Sequence, residues 1–108
     1  MTTIALVDDE SSIRTSVSLA LESEGFKVDV FQNGIEALEA LESKTYDLGL
    51  FDIKMPKMDG NELLEKVRSS KIEYLKKMPI IFLTSKDQEQ DEIIGLRMGA
   101  ADYITKPF

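Results

Sequence analysis

The 108-residue sequence contains no cysteine and no histidine. Without cysteine there is no disulfide framework and no thiolate metal site. Without histidine the chain lacks the commonest general base and the commonest transition-metal ligand. Oxygen ligands remain, and these suit hard cations such as magnesium. No apolar run approaches the ~20 residues that a membrane-spanning helix needs, and no signal peptide precedes Ile4. Cytoplasmic residence is therefore the expectation. Basic residues are also in short supply: 13 Lys and Arg stand against 20 Asp and Glu, for a net charge of −7. Such a balance makes nucleic acid and anionic membranes poor direct partners for this segment.

What is present is centred on Tyr46–Gly60, YDLGLFDIKMPKMDG. An apolar run containing Leu48, Leu50 and Phe51 has the size and type of a buried strand, and it stops at Asp52. The spacing predicts strands over 3–7, 27–31, 47–51, 79–83 and 102–105. Between them lie helical patterns. Ile13, Val17, Ala20 and Leu21 form one apolar face from Ser11 to the stop at Gly25. Ile35, Leu38 and Leu41 form another, opened by Asn33 and Glu36 in capping-box spacing. A third helix begins near Asn61 with Leu63, Leu64 and Val67. Residues 69–77 read as a frayed helix end and connection, and a fourth helix runs over about 88–98 to Gly99. Alternating strands and helices with short connections predict one α/β domain, a doubly wound parallel sheet with helices on both faces. The flavodoxin-like order 2-1-3-4-5 is the expected one. The last strand has no helix after it, so the chain reads as cut short before a fifth helix.

In such a sheet the C-terminal strand ends share one edge, where ligands bind. That edge would receive Asp8 and Asp9 from the first strand, Asp52 from the third, Thr84 and Ser85 from the fourth and Lys106 from the fifth. Each has a plain structural role as well: acids at a helix start favour its dipole, and a threonine caps a helix. Crowded carboxylates, however, repel one another unless a cation joins them. Asp9, Asp52 and a backbone carbonyl, with waters, would make a magnesium site.

VDDE, FDIKMPKMDG, FLTS and GAADYITKPF occur in this order between Ile4 and Phe108. The sequence thereby resembles the receiver domain of two-component response regulators, and its ending GLRMGAADYITKPF resembles the OmpR/PhoB type. The resemblance implies a CheY-like fold spanning 1–108, followed in the full-length protein by a winged-helix DNA-binding domain. It implies that Asp52 accepts a phosphoryl group from a sensor histidine kinase in a Mg²⁺-dependent reaction. Asp9 would hold the metal directly, Asp8 through water and Lys54 through its backbone carbonyl. Thr84 and Lys106 would engage the phosphoryl oxygens, with a cis peptide at Lys106–Pro107 aiming the lysine. Thr84 and Tyr103 would be the switch pair, and phosphorylation would promote a homodimer. Such a domain catalyses only its own phosphorylation and dephosphorylation. One departure is Ala101, which precedes Asp102 where the family often has two acids that join the dimer's salt bridges. Two other functions fit less well. A haloacid-dehalogenase-type phosphatase needs an acid where Lys54 stands, and a flavin carrier needs a phosphate loop where Asp8-Asp9-Glu10 stands.

Overall fold

The structure, a computed structural model, describes residues 1–84 and 101–105. The helix expected over 88–98 lies outside the described residues, as do Ser85, Lys106 and Pro107. Strands β1 (Thr3–Val7), β2 (Lys27–Phe31), β3 (Leu48–Asp52), β4 (Ile80–Thr84) and β5 (Asp102–Thr105) pair in parallel in the order β2-β1-β3-β4-β5. This is the order that the alternating sequence pattern predicts. Helices α1 (Ser11–Ser23), α2 (Gly34–Ser43), α3 (Gly60–Arg68) and α4 (Glu73–Lys77) are the described helices.

Alternation of side chains along each strand divides the core into two layers. Ala5, Val7, Phe51, Ile80 and Phe82 pack with Leu41 of α2, Leu63, Leu64 and Val67 of α3 and Leu75 of α4. On the other face Ile4, Leu6, Leu50 and Leu83 meet Ile13, Val17 and Leu21 of α1. Among the described residues the second layer is thinner, and no residue of α1 is fully buried. Along its flank runs an apolar groove of about 350 Å³, bounded by Val17, Ala20, Leu21, Leu50, Leu83 and Ile104.

Some local expectations need correction. Ile35 does not join the buried face of α2; it is exposed, and Gly34, Ala37 and Leu41 are the buried positions. At the start of α2 it is Gly34 that is buried, with Met58 of the β3–α3 loop packed where a β-carbon would stand. Ala20 likewise is exposed rather than core. Residues 73–77 are not a frayed end but a short separate helix, anchored by the buried Leu75. The Tyr74 hydroxyl of that helix reaches back to the carbonyl oxygens of Leu41 and Lys44 at the end of α2. Those are terminal helix carbonyls that otherwise lack partners.

Candidate functional site

Strands β3 and β4 each extend one residue beyond their last apolar side chain. Asp52 stands opposite Leu83 in the ladder, and the Ile53 amide still donates to the Leu83 carbonyl at 3.2 Å. Asp52 and Thr84 are therefore strand residues held by the rigid sheet, and both are buried. Asp8 follows β1 directly, its amide donating to the Phe31 carbonyl at 3.1 Å. It too is buried, while Asp9 is exposed.

The parallel ladder brings these strand ends together. Asp8, Asp9 and Asp52 each offer a carboxylate oxygen, and the three oxygens lie within 4.8 Å of one another. An all-oxygen donor set with two buried members and one open to solvent fits a hard divalent cation that keeps part of its water shell. Mg²⁺ is such an ion. Beside the cluster is a recess of about 310 Å³ lined by Asp9, Gln32, Asn33, Pro56 and Lys57.

Around Asp52 the loop after β3 folds back on itself. The Gly60 amide donates to the Ile53 carbonyl at 2.7 Å, and a β-carbon at Gly60 would sit 2.5 Å from the Asp52 carbonyl oxygen. Glycine is required there by close backbone approach. Lys57 takes a left-handed conformation, φ 71°, to turn the loop. Asp59 then starts α3, its side chain accepting from the Glu62 amide at 2.8 Å. On the opposite side Asn33 caps α2 by accepting from the Glu36 amide at 2.9 Å, in the capping spacing read from the sequence.

The other expected residues are partly placed. Lys54 is exposed, two positions after Asp52. Thr84 pairs with Thr105 at the end of β4, and Tyr103 pairs with Phe82 and is 38% exposed. Thr84 and Tyr103 thus lie on adjacent strands. Arg14 was not among the residues singled out from the sequence. Its Nη1 donates to the Asp8 carbonyl oxygen at 2.7 Å. A basic residue in the first turn after an acidic loop was the available signal.

The family model described as "response regulator receiver domain" matches residues 4–108. The chain belongs to the response regulator receiver domain family. Among curated relatives, the alkaline phosphatase synthesis transcriptional regulatory protein PhoP of Bacillus subtilis is 43% identical over 105 residues, 97% of this chain and 42% of that protein. The receiver chain thus spans less than half the length of that relative. Among solved structures, the Vibrio cholerae chemotaxis protein CheY4 superposes with a TM-score of 0.92 at 33% identity, covering 100% of this chain and 88% of that one. The receiver domain of the Pseudomonas aeruginosa sensor histidine kinase PA1611, described with a magnesium ion coordinated in its active-site cleft, superposes with a TM-score of 0.89 at 32% identity, covering 99% and 86%. The two solved structures share the CheY-like architecture of this receiver domain. No described helix of the receiver is long and apolar enough to cross a membrane.

Proposed function

We propose that this receiver domain accepts a phosphoryl group on Asp52 from the phosphohistidine of a sensor histidine kinase. The observation that carries the reading is the cluster of Asp8, Asp9 and Asp52, whose carboxylate oxygens lie within 4.8 Å at the C-terminal edge of the sheet. In the transfer, a carboxylate oxygen of Asp52 attacks phosphorus in line. The P–N bond breaks, its electron pair stays on the donor imidazole, and a P–O bond forms the acyl phosphate. Phosphoryl transfer asks for position and charge neutralisation more than for covalent help. Position comes from the β3 ladder and from the closed loop at Gly60. Asp8, Asp9, Asp52 and the Lys54 carbonyl would hold Mg²⁺, which when bound would neutralise the phosphoryl oxygens. The magnesium described for the PA1611 receiver supports this assignment.

Thr84 would bond one phosphoryl oxygen and Lys106 would pair with another. Thr84 and Tyr103, on adjacent strands, would carry the change outward as a shift between two packings of the segment that joins them. The chain would act as a switch rather than as an enzyme on outside substrates. The relatives named as transcriptional regulators support an OmpR/PhoB-type protein in the cytoplasm, with a C-terminal winged-helix domain that contacts DNA and a homodimer formed on phosphorylation. Within that type, FDIKMPKMDG with IFLTSKDQEQDE resembles ChvI, so a ChvG-like kinase is the proposed donor.

Acetyl phosphate with Mg²⁺ should add one labile phosphoryl group, read by intact-mass spectrometry, and Asp52→Ala should not accept it. A persisting labile adduct on that variant would refute the assignment.

A further inference from the structure

We propose that Arg14 is a positioning residue for the metal site. Its guanidinium, through the carbonyl of Asp8, sets the direction in which Asp8 and Asp9 present their carboxylates. The inference rests on the reading of that cluster as a Mg²⁺ site.

Residues 8–10, which join β1 to α1, are pinned at several points. The Asp8 amide donates to the Phe31 carbonyl at 3.1 Å, ending the β1–β2 ladder. The Asp8 carboxylate, through Oδ1, accepts from the Glu10 amide at 2.9 Å. The Asp8 carbonyl lies beyond the last paired residue of β1, which is Val7. There it accepts from Arg14 Nη1 at 2.7 Å. Arg14 itself is locked into the first turn of α1, its amide donating to the Glu10 carbonyl at 3.1 Å. One partly buried side chain thus ties the helix start to the strand end across the acidic loop. The bond it makes fixes the plane of the Asp8–Asp9 peptide. The Asp9 α-carbon belongs to that plane, so the direction of its side chain starts from it.

Charge alone makes the opposite demand. A guanidinium this close to a cation site repels the cation, so its removal should tighten metal binding. If Arg14 positions the loop, its removal should weaken metal binding despite the relieved repulsion. The sign of the change separates the two roles. Partners that orient metal ligands typically change affinity by about 10- to 100-fold when removed, and the relieved repulsion offsets part of this. A net loss of about 3- to 10-fold is expected here.

The test is calorimetric titration of Mg²⁺ into wild type, Arg14→Ala and Arg14→Lys, with hydrogen exchange at the Glu10 amide measured in the metal-free proteins. Arg14→Ala should bind several-fold more weakly and exchange the Glu10 amide faster. Arg14→Lys, which keeps the charge and one N–H donor line, should recover part of both. Unchanged or tighter binding by Arg14→Ala, whatever its melting temperature, would overturn the role of Arg14 while leaving the metal site standing. A wild type that takes up no Mg²⁺ would overturn the site reading and this assignment together.

Discussion

Gly60→Ala tests how closely the scaffold is fitted to Asp52, the proposed nucleophile. Gly60 is the first residue of α3. On helix propensity alone, alanine in place of glycine should stabilise the domain by up to ~1 kcal/mol. The geometry reverses that sign. The added β-carbon would lie 2.5 Å from the Asp52 carbonyl oxygen and 2.9 Å from the Ile53 α-carbon, where ordinary contact begins at 3.4 Å. Both obstacles are backbone, so neither can turn aside as a side chain would. The two segments must part by about 0.9 Å, the gap between contact and clash. Overpacking of this kind typically costs about 1–3 kcal/mol, which for a domain of this size lowers Tm by roughly 5–15 °C. If β3 yields, Asp52 moves by a comparable distance. A misplacement near 1 Å can cost about 100-fold in rate, so phosphorylation by acetyl phosphate should slow by at least tenfold. Gly34→Ala is the control. The nearest neighbours of its β-carbon would be Met58 side-chain atoms, Cγ and Sδ at 3.0 Å and Cβ at 3.1 Å; a methionine rotamer change moves the first two, and the third needs a shift of only a few tenths of an ångström. It should cost less than ~1 kcal/mol and leave the rate alone. A Gly60→Ala protein that melts at or above the wild-type temperature would refute the reasoning.

Other consequences are more local. Tyr74→Phe removes the hydroxyl that serves the Leu41 and Lys44 carbonyls; it should cost about 1–2 kcal/mol in chemical denaturation without changing Asp52 phosphorylation, because the contact lies at the opposite sheet edge. The Asp29 carboxyl is held below its ordinary value by the hydrogen bond from Lys44, then by that from Tyr46. Because the folded carboxyl titrates below the unfolded one, its contribution is complete above about pH 4 and is lost as pH falls through the folded value. The stability gap between wild type and Lys44→Met should therefore be constant near neutrality and close in acid; a gap that widens below pH 4 would contradict this. On the proposed mechanism, Lys54→Asn should alter the lifetime of the Asp52 phosphoryl group more than Mg²⁺ affinity, since Lys54 is exposed and only two residues after Asp52, within reach of the path that a hydrolytic water would take. Equal decay rates would count against it.

Much of this was legible because the informative features are local. Apolar runs that end in acids mark β1 and β3, a run that ends at Thr84 marks β4, and alternation with helical spacing fixes a parallel sheet and its shared edge. Asp8, Asp9 and Asp52 follow from that edge without any side-chain geometry. What escaped depends on contacts between distant residues. Polarity places the ends of β3 and β4 one residue short, at Phe51 and Leu83, whereas the Ile53–Leu83 hydrogen bond carries the ladder past them. The five-residue α4 is too short for periodicity to register. Ile35 looks like core by spacing, yet the buried side of α2 includes Gly34 against Met58, a pairing of residues far apart in sequence. Arg14 lies only six residues from Asp8, but nothing in the spacing says that its side chain turns back.

On the proposed Mg²⁺ reading, the gathered acids also tie folding to the ion. In the unfolded chain Asp8 and Asp9 are far from Asp52, so their mutual repulsion is a property of the folded state. The β1–β3 pairing enforces it, holding Val7 beside Phe51 just before the acids. A cation that binds only where the three carboxylates meet must then favour the folded chain. At a concentration 100 times Kd the stabilisation is about 2.7 kcal/mol, on the order of 10 °C in Tm for a domain of this size. The rise should continue with the logarithm of Mg²⁺ concentration, because mass action sets it. General ionic screening would act differently: it saturates, and a monovalent salt reproduces it. Melting curves in Mg²⁺, against NaCl at matched ionic strength, separate the two. Asp9→Ala supplies the second comparison. Asp9 is exposed and contributes little to the core, so its loss should leave the metal-free Tm at or above wild type, through relieved repulsion, while flattening the Mg²⁺ response. If Asp9→Ala and wild type rose in parallel, the carboxylate cluster would not be where the ion acts.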